Sequence, residues 1–177
     1  DRLPSFELVG LPDAAVKEAK ERVRTACHNS GFRFPYSALT VNLAPADRKK
    51  EGSAFDAAIL CGILHCSGVI RRNVDFSRAC IIGELSLSGA FRGVRGVLCM
   101  CVAAKEAGFT DVYVPVVNAR EAAAVEGIRV YPVTDMRALV DHFNGVSFIK
   151  PMEMDRSAFA DAVLYSAVDF ADVRGPF

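Results

Sequence analysis

The residues of this chain most able to perform catalysis are a serine on a glycine turn and the two lysines that precede it. The stretch DRKKEGSAFD, residues 47–56, places Ser53 directly after Gly52 and three residues after Lys50. Serine becomes a nucleophile when a base takes its proton, and lysine is such a base only when it is desolvated enough to be neutral. Lys49 and Lys50 stand in a polar stretch, so we expect both to stay charged. A working base for Ser53 would have to come from the apolar interior or from another element.

Cysteine and histidine are numerous enough to raise the question of a metal site, with six Cys and three His in the chain. There is neither a C-x-x-C pair nor an H-x-x-x-H pair, so the spacing does not favour metal binding. We expect free, buried thiols in a reducing cytosol. Each histidine lies near the end of a predicted helix, where capping is the expected role; they are His28, His65 and His142.

Composition and length bound the class of protein. The chain has 177 residues, 51% of them hydrophobic and 24% charged, which is ordinary for one soluble globular domain. No apolar run reaches the ~20 residues of a membrane helix, and the first ten residues lack the pattern of a signal peptide. Because the chain also opens without Met, we expect an excised piece of a soluble, cytoplasmic protein with no membrane partner.

The net charge is zero, which argues against a domain that coats nucleic acid constitutively. The distribution is uneven, since residues 1–50 carry nine Lys or Arg against six Asp or Glu, and residues 151–177 carry two against five. This asymmetry leaves room for a basic patch around residues 17–24 and 48–50, although solvated faces explain most such patterns.

Alternating strand and helix patterns must position these side chains. A strand is predicted at Ser5 to Val9, followed by an amphipathic helix that Asp13 caps and Gly31 ends, with Lys17, Lys20, Arg22 and Arg24 on its outer face. The stretch SALTVNLAP predicts a second strand with Leu39, Val41 and Leu43 on one face. FDAAILCGILHCSG is apolar nearly all round and predicts a buried helix with Asp56 in its first turn.

The second half continues the alternation. ACIIGELSLSGAFRGV predicts a strand, a tight turn at Ser88-Gly89 and a second strand. A helix ending at Gly108, a strand DVYVP, a helix with an Asn118/Glu121 capping box, a strand IRVYPV and a helix capped by Thr134 follow. The predicted fold class is therefore α/β. Beyond Gly145 the periodicity weakens, so residues 1–145 are predicted to form the domain, and residues 146–177 a linker or the start of another module.

The Lys-Glu-Gly turn, the buried helix and GELSLSGAFRGVRGVLCMCVAAKEAGFTDVYVP together resemble the proteolytic domain of Lon proteases. In that family the turn runs Lys-Asp-Gly-Pro-Ser-Ala-Gly with a nucleophilic Ser, and a helix opening Gly-Gly-Leu-Lys supplies the base. Here Ser53 falls on the Pro, Ala54 on the nucleophile and Leu98 on the base. The resemblance implies a Lon-protease-like fold of the ribosomal-protein-S5-domain-2-like type. Because both dyad positions are apolar, it implies no catalysis.

A second resemblance covers almost the whole chain. GLPDAAVKE, TVNLAPAD, GELSLSGAFRGVRGVL and the terminal DFADVRG are similar to the bacterial YifB/ComM family, also labelled magnesium-chelatase subunit I-like. In that family a Lon-like domain comes first and an AAA+ ATPase module follows. The resemblance implies that the first strands of the family lie upstream of Asp1, outside this chain. No Gly-Lys dipeptide occurs, so the phosphate loop G-x-x-x-x-G-K-[ST] is absent and no cofactor is expected in this fragment.

The resemblance implies a parent protein that is an ATP- and Mg²⁺-dependent motor, a hexameric ring linked with DNA branch migration in natural transformation. The RadA recombination proteins share the GELSLSGAFRGVRGV resemblance and carry an inactive Lon-like domain near DNA. Possible phosphate contacts are Arg48, Lys49, Lys50, Arg92 and Arg95. These residues could instead form a solvated rim or a subunit interface. For the domain, the alternatives are a pure oligomerisation module, a chelatase-type ATPase subunit or a Ser–Lys peptidase.

Overall fold

The computed structural model describes residues 5–10, 13–44 and 53–153. The first unit is a strand, a helix and a strand: β1 (Ser5–Val9), α1 (Asp13–Asn29) and β2 (Ala38–Asn42). The two strands are parallel, in register from Ser5 opposite Ala38 to Val9 opposite Asn42. Alternate β1 residues, Phe6 and Leu8, are buried, and the predicted strand bounds are confirmed.

The helix α2 (Asp56–Cys66) lies in the centre of the domain, as its apolar sequence predicts. It packs against α1 and carries much of the larger core, with Leu60 and Leu64 fully buried. A helix that is apolar on nearly every side has no stable solvent face, so burial on most sides is what stabilises it.

A second sheet contains three parallel strands in the order β3 (Ala79–Ile81), β6 (Asp111–Pro115) and β7 (Arg129–Val133). Its two faces bury different cores, because successive side chains of a strand point to opposite sides. Tyr113 and Val133 face the larger core that α2 and α5 (Met136–Phe143) share. Val112 and Val114 face the smaller core with α3 (Val97–Glu106) and α4 (Val116–Ala122). Helices therefore cover both faces, and the predicted α/β class is confirmed.

An antiparallel hairpin, β4 (Glu84–Leu85) and β5 (Phe91–Arg92), follows β3 and contributes to the larger core through Leu85. The single strand predicted over ACIIGELSL is divided at Gly83. A Cβ there would lie 2.8 Å from the ring of Phe91, so the chain passes the ring only because residue 83 has no side chain.

Two predicted helix starts are wrong, for a common reason. Helix α4 begins at Val116, directly after Pro115, so Asn118 lies inside the helix and the Asn118/Glu121 capping box does not form. Helix α5 is capped by Asp135, whose carboxylate accepts from the Ala138 N–H at 2.8 Å, one residue after the predicted Thr134. Several polar residues near a helix start are chemically able to cap it, and backbone geometry decides which one does.

An exit segment, residues 146–152, continues from α5. The Val146 N–H donates to the Asp141 carbonyl at 2.8 Å, and the Met152 N–H donates to the carbonyl of Val130 in β7 at 2.7 Å. Between them, the Ile149 N–H donates to His142 Nδ1 at 3.0 Å. The division into 1–145 and 146–177 stays a prediction. Within the described ranges, no helix combines the length and the apolar character needed to cross a membrane.

Candidate functional site

The turn that carries Ser53 and Ala54 is docked onto the start of the β4–β5 hairpin. The carbonyl of Ala54 accepts from the Gly83 N–H at 2.9 Å, and the Gly83 carbonyl accepts from the Ala57 N–H at 3.1 Å. The Asp56 N–H donates to the Ser53 carbonyl at 3.1 Å, which closes the turn into α2. The backbone at Ala54, which the Lon resemblance aligns with the nucleophile, is therefore held from both sides.

The hydroxyl of Ser53 is occupied by a carboxylate. Its Oγ donates to Oε2 of Glu84, the first residue of β4. Glu84 lies directly across the hairpin from Arg92. Among the described residues no lysine amine contacts Ser53, while Lys49 and Lys50 lie outside the described residues. A hydroxyl held by a carboxylate in this way contributes to docking the turn, and sequence reasoning missed it because the partners are 31 positions apart.

Leu98, which the Lon resemblance aligns with the base, lies in the first turn of α3 with 41% of its surface exposed. Its backbone N–H faces Oε1 of Glu121 from α4 at 3.4 Å. The contacts of Ala54 run to Gly83 and those of Leu98 to α4, so the proximity of these two positions stays a prediction. An apolar side chain at each of them leaves neither nucleophile nor base there.

An ion pair lies at the base of α2. Arg22 of α1 donates through Nε to Oδ2 of Asp56 at 2.8 Å and through a second guanidinium nitrogen to Oδ1 at 3.3 Å. Asp56 is 1% exposed, and this burial raises the pKa of its carboxyl while the hydrogen bonds from Arg22 act in the opposite direction. Hydrogen bonding to Asp56 raises the pKa of Arg22. The expectation that Arg22 belongs to the outer basic face is therefore wrong, because the guanidinium turns inward to compensate a buried charge.

Two of the five predicted phosphate contacts lie in the described part of the chain. Arg92 ends β5, and Arg95 lies in the loop of residues 93–96 that leads into α3; both are exposed. Neither makes an ion pair with another described residue. The other three, Arg48, Lys49 and Lys50, lie outside the described residues, so whether the five form one surface stays a prediction.

Asn118 of α4 holds the loop between these two arginines. Its Oδ1 accepts from the Val94 N–H at 2.9 Å and its Nδ2 donates to the Val94 carbonyl at 3.0 Å. Asn118 is 7% exposed. The side-chain amide thus pairs with one residue of the loop as a neighbouring strand would. This contact replaces the capping role that the sequence predicts for Asn118.

The thiols are only partly as expected. Burial raises the pKa of Cys61 to about 12 and those of Cys27 and Cys101 to about 11, which makes these three poor nucleophiles. Cys66 and Cys99 are exposed, because each lies on the solvent side of its helix, so the expectation of buried thiols is wrong for these two. In the described ranges no three His, Cys, Asp or Glu side chains are grouped as metal ligands would be.

His142 does not cap its helix by contact with the final carbonyls. Its Nδ1 accepts from Ile149, so the ring proton resides on Nε2, which donates to the Tyr113 hydroxyl at 3.2 Å. Burial lowers the pKa of His142, partly offset by the Asp111 carboxylate. The predicted capping role is wrong for this residue, because α5 directs the ring into an aromatic cluster instead of along the helix axis.

Comparison with known proteins gives concordant matches. A family model described as subunit ChlI of Mg-chelatase matches residues 1–118. An uncharacterized protein of Mycobacterium tuberculosis is 39% identical over 176 residues, which is 98% of this chain and 33% of that protein. Competence protein ComM of Haemophilus influenzae is 39% identical over 142 residues, 80% of this chain and 28% of its own length. YifB of Escherichia coli is 42% identical over 106 residues, 60% of this chain and 21% of its own. The chain spans about a third or less of these relatives.

Proposed function

Because the chain belongs to the magnesium-chelatase subunit I-like family that includes the YifB and ComM proteins, we propose that it is the non-catalytic, Lon-like domain of a ComM-type ATPase acting on DNA. The parent is an ATP-driven motor, assembled as a homo-oligomeric, hexameric ring in the cytoplasm. The domain supplies a surface that contacts the DNA backbone, while the ATPase module hydrolyses ATP.

The observation that carries the DNA contact is the pair of exposed arginines at the end of the hairpin. Arg92 and Arg95 flank Val94, whose backbone is held by Asn118, and neither arginine makes an ion pair with another described residue. Guanidinium groups bind phosphate without reading base sequence, which suits a motor that moves along DNA. The zero net charge of the chain implies weak binding by one copy, and linked copies in a ring would bind more tightly through effective concentration.

The absence of peptide hydrolysis rests on a different part of the domain. Ala54 and Leu98 stand at the dyad positions, and the neighbouring Ser53 hydroxyl is bound to the Glu84 carboxylate. Hydrolysis by a Ser–Lys pair needs both members within hydrogen-bond reach. Neither position offers a group that can attack or accept a proton.

ATP and Mg²⁺ belong to the ATPase module of the parent and do not fit the residues of this chain. The glycine-containing loop before α3 is the described junction most similar to a phosphate loop, yet it has no lysine, and the Glu121 carboxylate faces the Leu98 N–H at the helix start. With no lysine and with this helix-start N–H already bound to a side chain, the loop lacks the donors that cradle the phosphates of a nucleotide. No step of the function is therefore assigned to nucleotide within this domain.

The test is a salt titration of duplex DNA binding by the full-length gene product, read by fluorescence anisotropy. The variant is Arg92→Ala/Arg95→Ala, and the control is Arg71→Ala/Arg72→Ala, which removes the same charge from another exposed pair. With a slope of about −0.9 per neutralised phosphate, the test pair should flatten the plot of log affinity against log salt by up to about 1.8. The control should leave the slope unchanged.

Other outcomes favour other functions. Unchanged DNA binding in the test variant, combined with loss of the assembled ring, would make the domain an oligomerisation module. Equal effects of the two arginine pairs would indicate a diffuse charge effect without a defined surface. Metal insertion into a porphyrin by the parent, with no response to DNA, would favour the chelatase-type alternative that the family label carries.

A further inference from the structure

Asn118 is buried, is polar, and makes both of its described hydrogen bonds to a single residue of another element. The two bonds satisfy the N–H and the C=O of Val94, the middle of the segment between Arg92 and Arg95. A loop residue whose two backbone groups are both paired loses the freedom to rotate that loops ordinarily keep.

Two further contacts from α4 flank Arg95, one to the loop and one to the first turn of α3. A Cβ at Gly93 would lie 2.9 Å from Cγ2 of Val117, so the loop backbone rests directly on α4 with no space for a side chain between them. On the other side of Arg95, the Leu98 N–H faces Glu121. Successive turns of α4 thus contact the chain on both sides of Arg95, in the loop before it and in the first turn of α3 after it.

The result is a division between anchored and free side chains. Val94 packs against the smaller core, while Arg92 and Arg95 point away from it and are exposed. The two guanidinium groups are therefore carried on a backbone that is ordered before any partner arrives. Preorganisation of this kind improves binding because the ordering entropy is not lost at the moment of contact.

We propose that Asn118 is a positioning residue for DNA binding: it holds the loop of residues 93–96 so that Arg92 and Arg95 contact the phosphate backbone together. The inference rests on the proposed function. It adds a residue that touches no DNA itself and acts only through the arginines that it positions.

The experiment is a double-mutant cycle in the full-length gene product, with binding of the same duplex DNA measured as a function of salt. Asn118→Ala should weaken DNA binding about 5-fold or more, because the freed loop residue must be ordered again on binding and the entropy of one backbone residue corresponds to about that factor. It should also flatten the salt slope towards that of Arg92→Ala/Arg95→Ala. Added to that arginine variant, Asn118→Ala should have no further effect on binding, since the groups that it positions are gone.

A matched control exists in the same fold. Asn144 makes equivalent contacts elsewhere, since its Oδ1 accepts from the Arg71 N–H at 2.9 Å and its Nδ2 donates to the Val69 carbonyl at 2.9 Å. Asn144→Ala removes the same chemistry from a different loop and should leave DNA binding unchanged. Should Asn118→Ala fail to fold, Asn118→Gln keeps the uncharged amide but displaces its acceptor and donor by one methylene group, and it should show the same dependence on Arg92 and Arg95.

The outcomes separate this inference from its premise. If the arginine variant binds like the wild type, the proposed DNA contact is wrong and the inference falls with it. If the arginine variant loses affinity while folded Asn118 variants do not, the DNA contact stands and Asn118 has no positioning role. An effect of Asn118→Ala that persists in the arginine variant, or that Asn144→Ala reproduces, also overturns the inference, because it would reflect general destabilisation.

Discussion

Arg22 and Asp56 form a two-point ion pair across α1 and α2, with Nε 2.8 Å from Oδ2 and a carboxylate that is 1% exposed. The pair lies at the start of the helix that follows the Ser53 turn. A buried carboxylate is stable there only because the guanidinium compensates it, so the two side chains depend on each other.

Arg22→Ala should therefore destabilise the domain by about 3–5 kcal/mol, the usual penalty for leaving a buried charge unpaired. Chemical denaturation with urea measures it. The control is Lys20→Ala, which removes a longer, more exposed contact to Glu7 at 3.8 Å and should change the free energy of unfolding by less than about 1 kcal/mol. The double variant Arg22→Ala/Asp56→Ala should be less destabilised than Arg22→Ala alone. A larger loss in the double variant would contradict the dependence of Asp56 on Arg22.

Stability should fall with acid through His142. Its folded-state pKa lies below the ordinary value, so the unfolded chain binds the proton more readily. The stability that His142 contributes is therefore fully present above the ordinary histidine pKa of about 6.5. It is lost as the pH falls from there through the pKa of the folded state. The neighbouring groups are Tyr113, Tyr131 and the Asp111 carboxylate. Urea unfolding from pH 7.5 to 5 should show this loss.

The matched control for that experiment is His28, an exposed histidine in the last turn of α1. His142→Gln should remove the acid-dependent part of the stability profile, whereas His28→Gln should keep it. The limiting slope for one proton is about 1.4 kcal/mol per pH unit. A profile that is the same in both variants would show that other groups govern the acid response.

Gly89 supplies a tighter steric test. Its φ is +85°, and a Cβ would overlap Ser30 Oγ and lie 3.3 Å from the Ala26 carbonyl oxygen. Gly89→Ala should destabilise by about 2–4 kcal/mol, since backbone strain and a clash with α1 add. Gly68 has a similar φ of +81° with open space around its Cβ, so Gly68→Ala should show only the backbone component of about 1–2 kcal/mol. Equal losses in thermal unfolding would mean that α1 moves aside without penalty.

The basic residues before Ser53 carry a prediction of their own. In the full-length protein, Lys49→Ala/Lys50→Ala should flatten the salt dependence of DNA binding by up to about 1.8, two phosphates at about 0.9 each. Light scattering checks that the variant keeps the oligomeric state of the wild type. An unaltered slope would restrict the proposed DNA contact to Arg92, Arg95 and the proposed ATPase module.

The wild-type chain should not react with a fluorophosphonate probe at Ser53, and it should not cleave a fluorogenic peptide. Ser53→Ala should instead reduce stability by about 1 kcal/mol, because it leaves Glu84 without its hydrogen-bond donor. Intact-mass spectrometry after probe treatment reads the first outcome. Stoichiometric labelling that Ser53→Ala abolishes would contradict the non-catalytic assignment.

Periodicity predicted the elements well because it reflects burial directly. The buried α2 and the strands β6 and β7 follow from their apolar patterns, and each ends near the expected residue. The side-chain partners were not predictable in the same way. Asn118 fits a capping box by sequence yet bonds to Val94, because tertiary contact with a residue 24 positions away outweighs a local cap.

The candidate site shows the same limit. Arg92 and Arg95 were predicted from their charge in a stretch whose resemblance implies a place near DNA, and the structure shows that both are exposed. The pairs Ser53–Glu84 and Arg22–Asp56 join residues more than 30 positions apart, and nothing in local spacing identifies such partners. Arg22 shows the consequence, since helical periodicity placed it with the outer lysines although its guanidinium turns inward.

The contacts of the exit segment determine which part of this domain a mechanical pull on the chain would load first. A pull on the chain beyond Glu153 loads first the Met152 hydrogen bond to Val130, at the outer edge of the three-stranded sheet, and then the Ile149 bond to His142. Residues 146–152 would have to peel away before α5 carried any load. The segment is held by two backbone N–H donors and by the contact of Phe148 with the His142 ring. These contacts would therefore break under force before the rest of the domain unfolds. Protonation of His142 would remove the acceptor for the Ile149 N–H and lower the force at which residues 146–152 detach.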